Sequence, residues 1–269
     1  MKVLVVSDME GVSGIVKGAQ TTGGAPMYEE GRRLYTEEIN AAVRGARGAG
    51  ATEIVVMDCH GAGGEWAFNS LVPDLLDPGC EYVVQDEWTE YTEFLEQGVE
   101  AALFVGMHAR AGTRDGVLNH TVSGQVWQNL WFNGTLVGET AINAALCGTW
   151  GCPVLLVTGD EASCREGKAL LGDALTTVAV KRGLGAFSAR QIPPVRAREL
   201  IEAGALQALS DLQAVPPYSP GEPCEIRVEY KNTAAPDALR FRPGVERVDD
   251  RTIVSRAGDW WTAWKQFFF

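Results

Sequence analysis

Short apolar, β-branched runs recur along the chain, and each one closes on a polar cluster. Met1-Lys2-Val3-Leu4-Val5-Val6 leads into Ser7-Asp8-Met9-Glu10-Gly11, and Glu53-Ile54-Val55-Val56-Met57 into Asp58-Cys59-His60-Gly61. Ala101 to Met107 leads into His108-Ala109-Arg110, and Pro153 to Thr158 into Gly159-Asp160-Glu161. Continuous apolar runs of this length predict strands buried on both faces, as in a parallel sheet. Between them lie helical patterns. From Tyr28 to Gly48, apolar residues fall at Leu34, Ile39, Ala42, Val43 and Ala46, with Gly48 and Gly50 as the stop. A small-residue helix opens at Val137-Gly138-Glu139-Thr140 and runs through Cys147 to Gly148 and Gly151, and another runs from Glu161 to about Leu171. Strand, helix and strand in this order imply parallel pairing with a right-handed crossover. The fold class is therefore α/β, a mostly parallel sheet flanked by helices.

The remaining segments read less regularly. Residues 12–27, rich in Gly, Thr and Ala, predict a long surface loop of the kind that walls a neighbouring site. Residues 61–80 are irregular, Cys80 to Val84 predicts a strand, and Glu87 to Gln97 a helix with an acidic first turn. Residues 111–119 form a polar loop that delivers His120, and Thr121 to Leu136 carries Asn133-Gly134 at a hairpin position. Leu175 to Val180 predicts a shorter strand. Beyond about 185 the texture changes: a helix to Ser210, a Pro-rich linker over 215–220, an alternating strand Cys224 to Tyr230, and an aromatic helix from about Ala257. The expected division is a larger α/β domain over 1–185, which carries the polar clusters at its strand ends, and a smaller C-terminal α+β domain over 186–269.

The formal net charge of −12 over 269 residues argues against nucleic-acid binding, which needs a basic surface, and disfavours anionic membranes. No stretch approaches the ~18–20 apolar residues of a membrane span, and the amino-terminal run lacks a signal-peptide pattern. The six cysteines contain no C-x-x-C pair and sit in apolar segments, as reduced thiols of a cytoplasmic protein do. Any metal must then rely on histidine and carboxylate.

Ligands of an open parallel sheet bind at the carboxyl ends of its strands. Asp8 and Glu10, two residues apart, share a face if the strand stays extended, and two adjacent carboxylates require a cation, a proton or an arginine. His60 and His108 end strands of the same sheet, and Glu139 opens a helix. These five side chains form a candidate metal site. On spacing alone Asp160 and Glu161 are an equal acidic pair, and Glu139 could simply complement a helix dipole. Asp58, two before His60, reads either as an orienting partner of the ligands or as a cap on the turn.

Taken together, Ser7-Asp8-Met9-Glu10-Gly11, Asp58-Cys59-His60, Gly106-Met107-His108-Ala109-Arg110, Asn119-His120-Thr121 and Val137-Gly138-Glu139, in this order and spacing, resemble the zinc-dependent D-aminopeptidase (DppA-type) family of metallopeptidases. The likeness covers residues 1–180 by motif and the rest by length. It implies that Asp8, Glu10, His60, His108 and Glu139 bind two zinc ions per subunit, with Asp8 bridging, and that His120 is the catalytic group. Cys59 and Asn119 depart from the pattern, where serine-like residues are expected. The resemblance further implies removal of the N-terminal residue from short, D-amino-acid peptides, and a ring-shaped homodecamer enclosing the active sites. Two other readings of the residues remain: a metal-dependent phosphoesterase, for which Arg110 and Arg114 are the only cations beside a ligand block, and a metal-stabilised binding protein, which the spare His120 disfavours.

Overall fold

Val3 to Val6 and their counterparts in the other apolar runs are fully buried, because helices cover both faces of the sheet they build. The computed structural model describes residues 1–86 and 91–268. In chain order it contains β1 (Lys2–Ser7), α1 (Gly18–Thr21), α2 (Tyr28–Gly48), β2 (Glu53–Asp58), β3 (Glu81–Val83), α3 (Glu93–Glu96) and β4 (Ala101–Met107). Then come β5 (Trp127–Phe132), β6 (Thr135–Val137), α4 (Glu139–Thr149), β7 (Val154–Asp160), α5 (Glu161–Leu171), β8 (Thr176–Gly185), β9 (Ser188–Gln191) and α6 (Pro194–Ala208). The chain closes with β10 (Cys224–Tyr230), α7 (Ala234–Leu239), β11 (Val245–Arg247), β12 (Thr252–Ala257) and α8 (Trp260–Phe268). Of the helix expected over Glu87 to Gln97, residues 87–90 lie outside the described residues, and α3 is the helical part described.

The larger sheet has seven strands in the order β3-β2-β1-β4-β7-β8-β9. Every pair is parallel except β8 with β9, so the expected α/β class with a mostly parallel sheet holds. The order reverses between β1 and β4, since β1 continues outward to β2 while β4 lies on its other side. Right-handed crossovers running outward in opposite directions put α2 and α5 on opposite faces. On one face α2 lies against α6, while α4 packs on α5 on the other.

The smaller sheet is antiparallel, in the order β11-β12-β10-β5-β6. Its β5–β6 hairpin turns on Asn133 and Gly134, at φ 46° and 79°, the positive pair that a tight two-residue hairpin requires. This sheet draws on both parts of the chain: β5 pairs with β10 through Leu130 opposite Val228. Conversely, β9, beyond residue 185, belongs to the larger sheet. α8 lies on β10 and β12 and reaches α4. Its aromatics knit the unit together: Phe132 stands edge-on to Trp260 at 5.9 Å, and Trp127, edge-on to Tyr230 at 5.5 Å, meets Trp264 at 6.3 Å.

One buried cation holds the turn after β1 in shape. Lys181, on β8, is 2% exposed, and its ammonium donates to the carbonyls of Glu10 (2.6 Å), Val12 (2.8 Å) and Ile15 (2.7 Å). Those three bonds use all its protons. Burial pushes its pKa down to about 8, against the pull of Asp160 and Glu38.

Candidate metal centre

The β1–β4 reversal is where an open α/β sheet leaves a crevice at its carboxyl edge. There Asp8 donates its backbone N–H to Val105 at 2.9 Å, and Gly11 donates to Gly106 at 2.8 Å. So close an approach requires glycine. A Cβ on Gly11 would stand 2.0 Å from the Met107 carbonyl oxygen, and one on Gly106, at φ +75°, would stand 2.0 Å from that of Asp8. The two glycines thus bring the Asp8–Glu10 turn against the start of the His108 loop.

Asp8, Glu10, His60 and His108 are all buried. His60 Nδ1 lies 3.1 Å from both Asp8 Oδ1 and Glu10 Oε2. His108 Nε2 lies 3.2 Å from both Asp8 Oδ2 and Glu139 Oε1. Asp8 therefore faces one imidazole with each oxygen. The outer ring nitrogens are engaged elsewhere: His60 Nε2–H donates to the Thr21 carbonyl (2.7 Å) and His108 Nδ1–H to the Ala109 carbonyl (2.9 Å). These bonds select the tautomers whose free lone pairs point inward, as metal-ligating histidines are held. Asp8 Oδ2, Glu10 Oε2 and His108 Nε2 have no hydrogen-bond partner despite full burial. Tetrahedral zinc with bonds of ~2.0 Å would set its ligand atoms ~3.3 Å apart. The observed separations match that cage, and carboxylates with imidazoles are donors that zinc accepts. The residues present fit a metal.

His120 stacks on His108, ring centres 4.1 Å apart and 15° from parallel. Its Nδ1–H donates to the Leu118 carbonyl (2.9 Å), and its Nε2 stands 3.8 Å from Glu139 Oε1. With 24% of its side chain exposed it is the most open of the six groups that sequence reasoning singled out. Backbone strain brackets it, because Leu118 and Val122 hold φ values of 51° and 58°. For Val122 the strained geometry aims its N–H at Glu139 Oε1 (2.7 Å). Glu139, first residue of α4, also lies where a helix favours negative charge. Two overlapping groups of ligand atoms are close enough to share an ion: Asp8, Glu10 and His108, and His108, His120 and Glu139.

Without a metal, burial opposes charge on both inner imidazoles, yet the carboxylates of Glu10 and Glu139 outweigh it and hold His60 and His108 well above the usual histidine range. Burial and the Glu10 charge push Asp8 up to about 6, whereas Glu139, its burial offset by His108, falls to about 2. Protons thus occupy the cage that a cation would fill, and each must leave on binding. Apparent zinc affinity should rise between pH 6 and pH 8, by up to ~10-fold per pH unit for each proton released. Competitive chelator titrations at the two pH values, with calorimetry in two buffers to count protons, check this. A pH-independent affinity would refute it.

The other sequence candidates separate from this cluster. Asp160 caps α5 through Ser163 N and accepts from Val117 N (2.6 Å), while Glu161 is exposed and faces Arg182. Asp58 is buried and accepts from the Tyr35 hydroxyl and from the backbone N–H groups of His60 and Ser70. It orients His60 through the turn rather than through the ring. Arg110 faces a separate cleft beside Arg165 and Glu166, and Arg114 is exposed. Sequence reasoning did not find the Thr21 carbonyl, Lys181, Asn143 or the α8 aromatics. Asn143 and α8 line the cleft above the metal cluster, and the signal available for both was helical spacing, from Glu139 and within the tail.

The family model Peptidase M55, described as D-aminopeptidase, matches residues 1–269. The D-aminopeptidase of Bacillus subtilis (strain 168) is 31% identical over 255 residues, covering 94% of this chain and 90% of that one. Among solved structures, the chain is similar to "Zn-dependent D-aminopeptidase DppA from Bacillus subtilis, a self-compartmentalizing protease", at TM-score 0.90 and 30% identity, covering 99% of this chain and 95% of that one.

Proposed function

Because the chain belongs to the D-aminopeptidase family Peptidase M55, we propose that it is a zinc-dependent aminopeptidase that removes the N-terminal residue from short D-amino-acid peptides. Asp8, Glu10, His60, His108 and Glu139 would hold two zinc ions, and His120 would act in catalysis. The observation that carries the reading is the set of three buried, unpartnered ligand atoms facing one another across the β1–β4 crevice. When bound, such a pair of ions supplies polarisation of the scissile carbonyl and an acidified water. The chain's own residues do the rest. Asp8 presents an oxygen to each imidazole and so ties the two halves of the cluster. Thr21 and Ala109 fix the tautomers of His60 and His108. His120, anchored through Nδ1, keeps Nε2 toward the cleft, where it can accept a proton and return it to the leaving amine.

Charge favours a peptide over a phosphate ester. No lysine or arginine among the described residues lines the cleft to hold the phosphate group of an ester. The ring-shaped homodecamer is part of the same proposal. Leu184 and Phe187 at the β8–β9 turn, with Val195 and Phe241, expose apolar surface that an assembly would cover. Light scattering tests it, and a stable monomer at micromolar concentration would refute it. No helix among the described residues is long and apolar enough to cross a membrane, and the six cysteines are free thiols, which fits work in a reducing cytoplasm. The deciding experiment offers zinc-loaded protein D-Ala-Gly-Gly, L-Ala-Gly-Gly and p-nitrophenyl phosphate. Release of D-alanine alone is expected, and turnover of the phosphate ester without peptide cleavage would overturn the reading.

A further inference from the structure

Above the cluster the cleft has a wall of a different character. Glu139 occupies the first turn of α4, and Ile142, Asn143 and Leu146 stand three, four and seven residues beyond it, on the same helical face. Opposite them α8 offers Trp260, Trp261, Trp264 and Phe268, again one face of a helix. The helix that presents a metal-competent carboxylate thus continues directly into an apolar cavity closed by the aromatic tail. The whole cleft, floor included, measures about 130 Å³, and apart from the acidic and imidazole groups at its floor no charged side chain among the described residues lines it. One neutral amide interrupts the wall: Asn143 is 7% exposed, and its side chain makes no hydrogen bond with the described residues.

We propose that this α4–α8 cavity is the side-chain subsite for the substrate's N-terminal residue, that it selects bulky apolar and aromatic side chains, and that the Asn143 amide hydrogen-bonds the backbone of that same residue. The inference rests on the aminopeptidase reading and adds the class of residue accepted. The geometry gives the two parts different signatures. The wall touches only the side chain, so its loss changes the ratio between substrates. Asn143 touches what every substrate shares, so its loss weakens all of them alike. Trp261 is the informative wall position: half-buried, it stacks on Trp260 at 6.0 Å and meets Trp150 edge-on at 5.5 Å.

The test uses full-length zinc-loaded protein with D-Phe-Gly-Gly, D-Leu-Gly-Gly and D-Ala-Gly-Gly, together with calorimetric titration of free D-phenylalanine and D-alanine, which needs no turnover. The expected kcat/KM is at least ~10-fold higher for D-Phe-Gly-Gly than for D-Ala-Gly-Gly, the discrimination an apolar pocket supplies. Trp261→Ala and, as a second variant that leaves α8 intact, Ile142→Ala should pull that ratio toward one. Asn143→Ala should raise KM for all three peptides with the ratio preserved. Tighter binding of D-phenylalanine than D-alanine, lost in both wall variants, supports the subsite even if no peptide is cleaved, an outcome that would sink the aminopeptidase reading alone. Cleavage of all three peptides at equal efficiency, a preference for D-Ala-Gly-Gly, or ratios untouched by both wall variants would overturn the subsite.

Discussion

Asp8→Asn should leave the protein with no stoichiometric metal and lower kcat by ~10³-fold or more, because metal polarisation contributes several kcal/mol and each 1.36 kcal/mol is a decade in rate. The substitution keeps the size of the side chain and removes the charge whose two oxygens face His60 and His108. Elemental analysis of purified protein, alongside peptide turnover, measures both effects. The metal-free state gives a control with the opposite sign. There the folded carboxyl of Asp8 titrates near 6 against an ordinary 3.8, so ionising it costs stability that is fully felt above pH 6 and absent below about pH 4. The asparagine variant escapes that cost. Stripped of metal at pH 8, it should melt no lower than stripped wild type. Two metal ions per subunit retained in the variant would remove Asp8 from the site.

The second large effect is expected at His120. Alanine there should reduce kcat by roughly 10²–10⁴, the range for a lost general acid or base, with metal content unchanged. Two observations make metal content the discriminating measurement. His120 has an outward anchor at Leu118 and a free Nε2 toward the cleft, as a proton-transfer group requires. It also stands close enough to His108 and Glu139 to share an ion with them. Loss of one metal per subunit on His120→Ala would make it a ligand. Near-normal turnover with metal intact would make its strained loop purely structural.

The strands that carry the site were legible because a buried parallel strand needs an unbroken apolar run, and the runs ending at Ser7, Met57, Met107 and Thr158 have no competing reading. The polar clusters closing those runs were legible too, since parallel strands must deliver their carboxyl ends to one edge. Partnership was not. Nothing in Trp127 to Phe132 says that it pairs with Cys224 to Tyr230, a contact decided by which apolar faces remain uncovered once the larger sheet is built. The β8–β9 hairpin was hidden for another reason: Lys181-Arg182-Gly183-Leu184-Gly185 is charged and glycine-rich, a composition that an edge ribbon tolerates. In that segment the lysine reads as solvent-exposed, yet it is buried, satisfied by three carbonyls that no local pattern announces. Asp160 and Glu161 show the converse limit, for spacing cannot tell a capping carboxylate from a ligand.

That lysine has a consequence for the order of events during synthesis. Every proposed ligand has been translated by residue 139, but the ammonium that clamps the Glu10 turn arrives 171 positions after Glu10 itself. Closing so long a loop is slow and depends on the β1, β4, β7 and β8 neighbours already standing in place. A nascent chain that has emerged only through Glu139 therefore owns the ligands without the cage. Assembly of the proposed metal site is thus a property of the finished sheet, because β7 and β8 follow the last of its residues along the chain.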